Sequence, residues 1–289
     1  MKILLTGSDG FTGIEFSALA VRAGHEVIAL VSDIRDYAAL SDEVCKIDID
    51  CVLHLAAISF VGHSNESEFY DVNVLGTCNL LKALAKIDKA PLKVVIASSA
   101  NVYGNSTDSP ITEQTEPNPV NHYAMSKLAM EYMAKTYASD LPIVIARPFN
   151  YTGAGQSKSF VIPKLVEHFV AGKDKVLLGN IDVEREFNDV QMVCEAYLQL
   201  LAYGVAGETY NICSGKPYAL KSVITMLESI TGHFMQVEIN PAFVRPNEVV
   251  KLYGSPDKLL ELVRANSSSL RTMELNDTLQ TMITNSTTP

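Results

Sequence analysis

The amino-acid sequence predicts an α/β fold: a doubly wound parallel sheet with helices on both faces, followed by a smaller C-terminal α/β lobe. Three observations lead there. Short β-branched runs alternate with amphipathic stretches through the first half, a glycine-rich turn closes the first run, and after about residue 150 the alternation loosens. The division expected from this is a dinucleotide-binding part over 1–150 and a ligand-binding lobe over 151–289, with the two interleaved at their border.

Taken in order, the runs KILLT (2–6), EVIALV (26–31), CVLHLA (51–56), LKVVIAS (92–98) and LPIVIAR (141–147) are too short for helices. Nearly continuous apolar character marks them as parallel strands buried on both faces. Between them, residues 11–24, 66–87 and 122–138 carry helical periodicity. The second half predicts a helix over 159–172, a strand at KVLLG, a helix over 189–203, a strand at ETYNIC, a helix over 219–231 and a strand at FMQVEI. The stretch beyond Asn266 is polar and is expected to fray.

Composition narrows the classes of function. A net charge of −10 with no basic run disfavours a nucleic-acid partner, so any anionic ligand has to be held by a few placed cations. Five cysteines, odd in number and without a CxxC, fit small buried thiols in a reducing compartment better than disulfides or a zinc site. No metal is therefore expected. The start MKILLTG is at once strand and turn and no apolar run reaches membrane-spanning length, so neither a leader nor a membrane partner is expected and the location predicted is cytoplasmic.

The first chemical signal is TGSDGFTG, with Gly7, Gly10 and Gly13 between the first strand and the first helix. Glycine is required there because the turn needs unusual backbone angles and a pyrophosphate has to approach bare amides at a helix N-terminus. This is the entry to a Rossmann-type sheet. The second signal is Tyr123 with Lys127, four residues apart and so on one helix face, preceded by Ser99 at the end of a strand. A lysine charge there favours phenolate and draws the tyrosine pKa down from about 10, giving an acid that can recover its proton.

The glycine spacing, HLAA (54–57), NVLGTCNLL (73–81) and YAMSK (123–127) together resemble the extended short-chain dehydrogenase/reductase family. The resemblance implies NADPH or NADH as cofactor, with NADPH slightly preferred. The implied cofactor contacts are Gly7, Gly10, Phe11, Gly13, Leu55, Ala56, Ala57, Asn73, Ser98, Tyr123, Lys127 and Pro148. The family's cofactor-selecting residue falls at Val31 or Ser32, neither acidic. The segment SDIRD (32–36) resembles the aspartate–hydrophobe pair that touches adenine after the family's third strand, so Asp33 and Ile34 are assigned to adenine and one helix and strand are taken as missing. Ser99, Tyr123 and Lys127 are the implied catalytic set.

The segments SFVIPKLVEHF (159–169), GNIDVEREFNDV (179–190) and VRPNEVVKLYGSPDKL (244–259) resemble the GDP-sugar branch of that family. This implies Ser99, Asn101, Asn150, Val161, Lys164, Arg185, Arg245 and Glu248 as substrate contacts, the cations and Glu248 serving the phosphates and the nucleoside. Sugar-nucleotide dehydratases of the family place acids just after the active-site serine or threonine, where this chain has Ala100 and Asn101. An amide does no proton chemistry at neutral pH, so hydride transfer is the reaction expected to remain.

The function expected from this is reduction of GDP-4-keto-6-deoxy-D-mannose, supplied by a GDP-mannose 4,6-dehydratase, to GDP-D-rhamnose. Asn101 either orients an oxygen or caps its turn, and His122 either tunes the entrance or is structural. GDP-6-deoxy-D-talose as product, a nucleotide-sugar 4-epimerase, and a dinucleotide-binding sensor without turnover stand as alternatives. A homodimer is the expected assembly.

Overall fold

Alternation of apolar side chains on short strands requires cover on both faces, and the fold supplies it. The computed structural model describes residues 1–106, 109–244 and 249–287. Strands β1 (Lys2–Thr6), β2 (Glu26–Ala29), β3 (Cys51–His54), β4 (Lys93–Ala97) and β5 (Ile143–Pro148) form the first half's framework. Among them run helices α1 (Phe11–Arg22), α2 (Tyr37–Val44), α3 (Glu66–Tyr70), α4 (Thr77–Leu84) and α5 (His122–Lys135).

The second half adds β6 (Tyr151–Thr152), α6 (Val161–Val170), β7 (Lys175–Leu178), β8 (Glu184–Arg185), β9 (Asn188–Asp189), α7 (Val190–Tyr203), β10 (Thr209–Ile212), β11 (Tyr218–Ala219), α8 (Leu220–Thr231), β12 (Gln236–Ile239), β13 (Lys251–Leu252), α9 (Asp257–Ala265) and α10 (Leu275–Thr287). The main sheet has the order β10-β5-β4-β3-β1-β2, and every pairing in it is parallel. Side chains alternate between its faces: Ile3, Leu5 and Leu53 pack toward α1 and α7, whereas Leu4, Val52 and Val94 pack toward α2, α4 and α5.

Several expectations change. The segment ETYNIC is not part of the second lobe but the edge strand β10 of the main sheet, and α7 packs against that sheet beside α1. The reason lies in α7 itself, which buries Val190, Met192, Val193, Cys194, Ala196, Tyr197, Leu200 and Leu201, too wide an apolar surface for a small lobe. The expected helix over 66–87 is interrupted by a π turn, Asp71–Gly76. Between β2 and β3 the chain holds the single helix α2, so β2 is left as the sheet edge.

The C-terminal stretch does not fray. Leu275, Leu279 and Met282 stand one helical face apart on α10 and are buried in the core of the second lobe with α6 and α8. Thr278 donates to Asp189 at 3.0 Å. Burial of such side chains contributes about 1.5–3 kcal/mol each, enough to hold a helix whose other faces are polar. Of the cysteines, Cys51, Cys194 and Cys213 are buried as expected, Cys78 is half-buried and Cys45 is exposed. Among the described residues no helix is long and apolar enough to cross a membrane.

Candidate active site

The sheet changes winding direction at β1, with β2 on one side and β3 on the other, and a crevice opens where the turns after β1 and β3 part. Gly7 lies at φ +68°, and a Cβ there would stand 2.8 Å from the Ala56 amide nitrogen. At Gly13 a Cβ would run into Gly7 O and stand 2.7 Å from Ser8 Cα. These two positions let the two turns and the first turn of α1 close on one another. Gly10, the N-cap of α1, has no side chain to satisfy the first amides, which remain for an anionic ligand. The Gly13→Ala variant is expected to lose dinucleotide affinity and about 1–3 kcal/mol of stability. Titration of cofactor fluorescence together with a urea melt checks both, and unchanged values would mean that the turn relaxes freely.

The turn after β3 is fixed from beneath. Thr77 Oγ1 donates to Asn73 O at 2.7 Å, which leaves it to accept from His54 Nε2 at 2.8 Å. His54 Nδ1 then accepts from Thr6 Oγ1 at 2.7 Å, and Thr6 accepts from the Ala56 amide at 3.0 Å. Burial, with the Lys127 charge adding to it, holds the His54 pKa down at about 3, so the ring stays neutral and keeps this tautomer. In the sequence His54 stands only as the first residue of HLAA, and nothing there marks its hydrogen-bonding role.

Along the cleft lie Gly7, Gly10, Phe11, Gly13, Leu55, Ala56, Ala57, Ser98, Ser99, Asn101, Tyr123, Lys127, Pro148, Asn150, Val161, Lys164 and Arg185. Its volume of about 1110 Å³ is above the ~300–1,000 Å³ usual for one small ligand. Three of the expected contacts do not join this wall. Asn73 is wholly buried; its side chain accepts from the Ile58 amide at 2.9 Å and donates to Ile58 O and to Ser126 Oγ at 3.0 Å. It therefore supports the floor of the cleft without reaching a ligand in it.

Ile34 is buried against Gly76, and Asp33 pairs with Arg35 beyond the end of β2, with a 2.9 Å bond from the Arg35 amide. The Arg35 guanidinium and amide hold the Asp33 carboxyl down at about 2. Arg245 and Glu248 lie outside the described residues. Tyr151, which no sequence motif marks, follows Asn150, stacks on Phe11 at 6.3 Å and bonds Thr12 Oγ1 at 2.8 Å.

At the centre, Ser99, Tyr123 and Lys127 are all buried, at 5%, 7% and 4% exposure. Tyr123 and Lys127 share one face of α5, whose N-cap Asn121 accepts from the Ala124 amide. Lys127 Nζ donates to Ala97 O at 2.7 Å, which anchors it to the end of β4. Burial lowers the Lys127 pKa to about 8, with Glu131 acting in the other direction.

The expectation that Lys127 pulls the Tyr123 phenol down is not met. Burial raises the phenol, and the opposing influence is the Ser99 hydroxyl beside it. The Lys127 ammonium is bonded to Ala97 O and is not among the influences on the phenol. Tyr123 consequently stays protonated at neutral pH, as a proton donor has to be.

The remaining positions flank this centre. His122 is held by Tyr70 OH on Nδ1 at 2.9 Å and by Glu66 on Nε2 at 3.1 Å, so both ring nitrogens are engaged at the mouth of the cleft. That favours its structural reading. At the far end Lys164 Nζ donates to Leu177 O at 2.8 Å and lies over the Phe243 ring. Arg185 donates to Glu184 O, Val250 O and Val249 O, an arrangement that holds β8 to the segment entering β13. Asn150 presents its side chain to solvent while its carbonyl accepts from Asn188.

A parallel sheet with a glycine turn at its switch point, and a Ser–Tyr–Lys set in the cleft above it, define an oxidoreductase-type enzyme of the extended short-chain dehydrogenase/reductase class. Within it, the chain belongs to the family described as GDP-mannose 4,6 dehydratase, whose model matches residues 24–264. A GDP-6-deoxy-D-talose 4-dehydrogenase of Aggregatibacter actinomycetemcomitans is 35% identical over 269 residues, 91% of either chain. A GDP-6-deoxy-D-mannose reductase of Pseudomonas aeruginosa is 34% identical over 274 residues, 89% of either chain.

Among solved structures, RMD from Pseudomonas aeruginosa complexed with NADPH has a TM-score of 0.89 at 29% identity, covering 98% of both chains. A protein described as a putative epimerase from Burkholderia cenocepacia has a TM-score of 0.91 at 43% identity, covering 98% of this chain and 97% of that one.

Proposed function

We propose that the protein reduces the C4 ketone of GDP-4-keto-6-deoxy-D-mannose with NADPH or NADH, giving GDP-D-rhamnose. The observation that carries this reading is the content of one large cleft: the glycine turn, the Ser99–Tyr123–Lys127 set and the cations Lys164 and Arg185 all line it. Its only carboxylates among the described residues are Asp9, in the glycine turn, and Glu66, paired with His122. Elimination of water needs a base and an acid beside the serine. Buried Ala100 and half-buried Asn101 stand there instead, which supports reduction over dehydration.

The residues fit a dinucleotide, since the backbone closes tightly at Gly7 and Gly13 and leaves the uncapped first amides of α1 at the cleft. When bound, the nicotinamide supplies a hydride to the ketone carbon. Tyr123 gives its proton to the C4 oxygen as charge develops there, and Ser99 donates a hydrogen bond to the same oxygen. Lys127, one turn along α5 from Tyr123, would hold the ribose of the cofactor. Lys164 and Arg185 face the pyrophosphate of the sugar nucleotide, where guanidinium and ammonium donors match phosphate oxygens.

The 35% likeness to a GDP-6-deoxy-D-talose 4-dehydrogenase favours a second reading, in which the opposite face of C4 is presented and the product is GDP-6-deoxy-D-talose. A third, the 4-epimerase, has the likeness to the Burkholderia protein behind it. One experiment separates them: a GDP-mannose 4,6-dehydratase is coupled to the protein with NADPH or NADH, and C4 of the product is read by NMR. Cofactor oxidation with a manno product is expected. A talo product would reverse the substrate face, and no net oxidation with a tightly held cofactor would favour the epimerase.

A further inference from the structure

Ser99 lies two residues beyond β4 and caps the 3₁₀ turn Ala100–Tyr103. Its Oγ accepts twice from Asn101, from the backbone amide at 3.2 Å and from the side-chain Nδ2 at 3.1 Å. A hydroxyl has two lone pairs and one proton, so these two bonds use up its accepting capacity and leave only the proton to give. The backbone bond alone is enough to cap the turn. The side-chain bond is a second constraint, and Asn101 lines the cleft beside Tyr123, where that constraint affects the reacting oxygen.

We propose that Asn101 is a positioning residue: its amide fixes the Ser99 hydroxyl as a hydrogen-bond donor, toward the Tyr123 oxygen in the free protein and toward the ketone oxygen once the sugar nucleotide is bound. For the ketone this rests on the reductase reading above; for Tyr123 it does not. A carboxylate in the same place would do the reverse. It has no proton to give, so it accepts the Ser99 proton and turns a lone pair toward an oxygen that gains negative charge during reduction. The amide at this position is thus what makes the serine useful to a reductase. Titratable groups that line the cleft with Asn101 include Tyr123, Lys127, His122, Glu66, His63 and Tyr151; Lys127 is held by Ala97 O, His122 by Tyr70 and Glu66, His63 by Glu68 and Tyr151 by Thr12.

The test compares Asn101→Asp and Asn101→Ala with the unaltered protein. Asn101→Asp is expected to lower kcat about 10²-fold near pH 8, the cost of one misdirected donor. Its KM should change little, and kcat should recover as pH falls through the carboxyl's titration. Asn101→Ala keeps the backbone cap and is expected to lose about tenfold in kcat, with a pH profile parallel to that of the unaltered protein. An Asn101→Asp profile that is parallel to the unaltered one, or the same loss in both variants, would overturn the proposal.

A second readout needs no substrate. With ¹³C-labelled tyrosine, assigned through Tyr123→Phe, the Tyr123 resonance should titrate at higher pH in Asn101→Asp than in the unaltered protein, because the Ser99 hydrogen bond that favours phenolate is withdrawn. An unmoved titration would refute the role toward Tyr123. If the unaltered protein shows no ketone reduction while this titration moves as expected, the reductase reading fails and the positioning role stands.

Discussion

Tyr123→Phe is expected to lower the turnover number for ketone reduction by about 10²–10⁴-fold, while affinity for dinucleotide and for sugar nucleotide stays within a few-fold. The ring itself is packing: it lies 6.0 Å from Phe69, and phenylalanine keeps that contact. Only the hydroxyl is removed, and with it the proton that neutralises the C4 oxygen. Because burial raises the Tyr123 phenol above its ordinary range, the group is protonated throughout the neutral region and the unaltered enzyme should show no alkaline limb from it there. Single-turnover rates with bound cofactor make the measurement, since they exclude product release. An unchanged rate would remove Tyr123 from the chemistry and leave proton delivery to solvent or to Ser99.

What the sequence disclosed about the fold and the site follows from the range over which each signal acts. The strands from Lys2 to Pro148, the glycine turn and the Tyr123–Lys127 spacing are local: period, propensity and steric need are written within a few residues of each other. The edge strand β10 and helix α7 are also local as elements, but their place in the main sheet depends on a partner surface more than 40 residues away, contributed by β5 and α1. The apolar face of α10, Leu275, Leu279 and Met282, is hidden in the sequence by the polar residues between them.

Polar groups in the interior left no periodic trace at all. His54 looks like one more strand residue, and Arg147 like the end of a strand. Asn73 was assigned to the cofactor by resemblance, yet the π turn directs it to Ile58 and Ser126. Such partners are set by tertiary proximity, and a single sequence carries no record of them.

Removing the carboxyl of Glu131 is expected to have the largest effect on stability. Glu131 follows Lys127 by one turn of α5 and is 2% exposed, facing Arg147 at the end of β5, itself 6% exposed. The guanidinium meets it with two parallel bonds, Nε to Oε1 at 2.9 Å and a terminal nitrogen to Oε2 at 2.6 Å. Ser98, in the cleft wall, also donates to Oε1. Arg147 continues to Tyr103 OH at 2.9 Å, and Tyr103 donates to Asn211 on β10 at 2.8 Å. The ladder thus ties α5, β4, β5, the turn after Ser99 and the sheet edge together beneath the catalytic residues.

Whether such a pair gains anything over an apolar pair is open on general grounds, but breaking one side of it is costly because the other charge is left buried and alone. Glu131→Ala should therefore lose about 3–5 kcal/mol in urea denaturation. Glu131→Gln keeps an acceptor and should lose less, which makes it the variant in which function can be read. Glu131 opposes the burial that depresses Lys127, so the amide lets the Lys127 pKa fall below about 8. The sign follows: the ammonium is lost as pH rises through the folded-state pKa, so the alkaline limb of kcat/KM, expected near pH 8, should move to lower pH in Glu131→Gln.

Stability runs the opposite way for this one group. Its folded pKa lies below the ordinary value of 10.5, so the cost of burying the charge is relieved as pH rises from about 8 toward 10.5. A Glu131→Gln enzyme with an unmoved alkaline limb would mean that Lys127 takes its charge environment from elsewhere. A Glu131→Ala protein as stable as the unaltered one would show the ladder to be dispensable for folding.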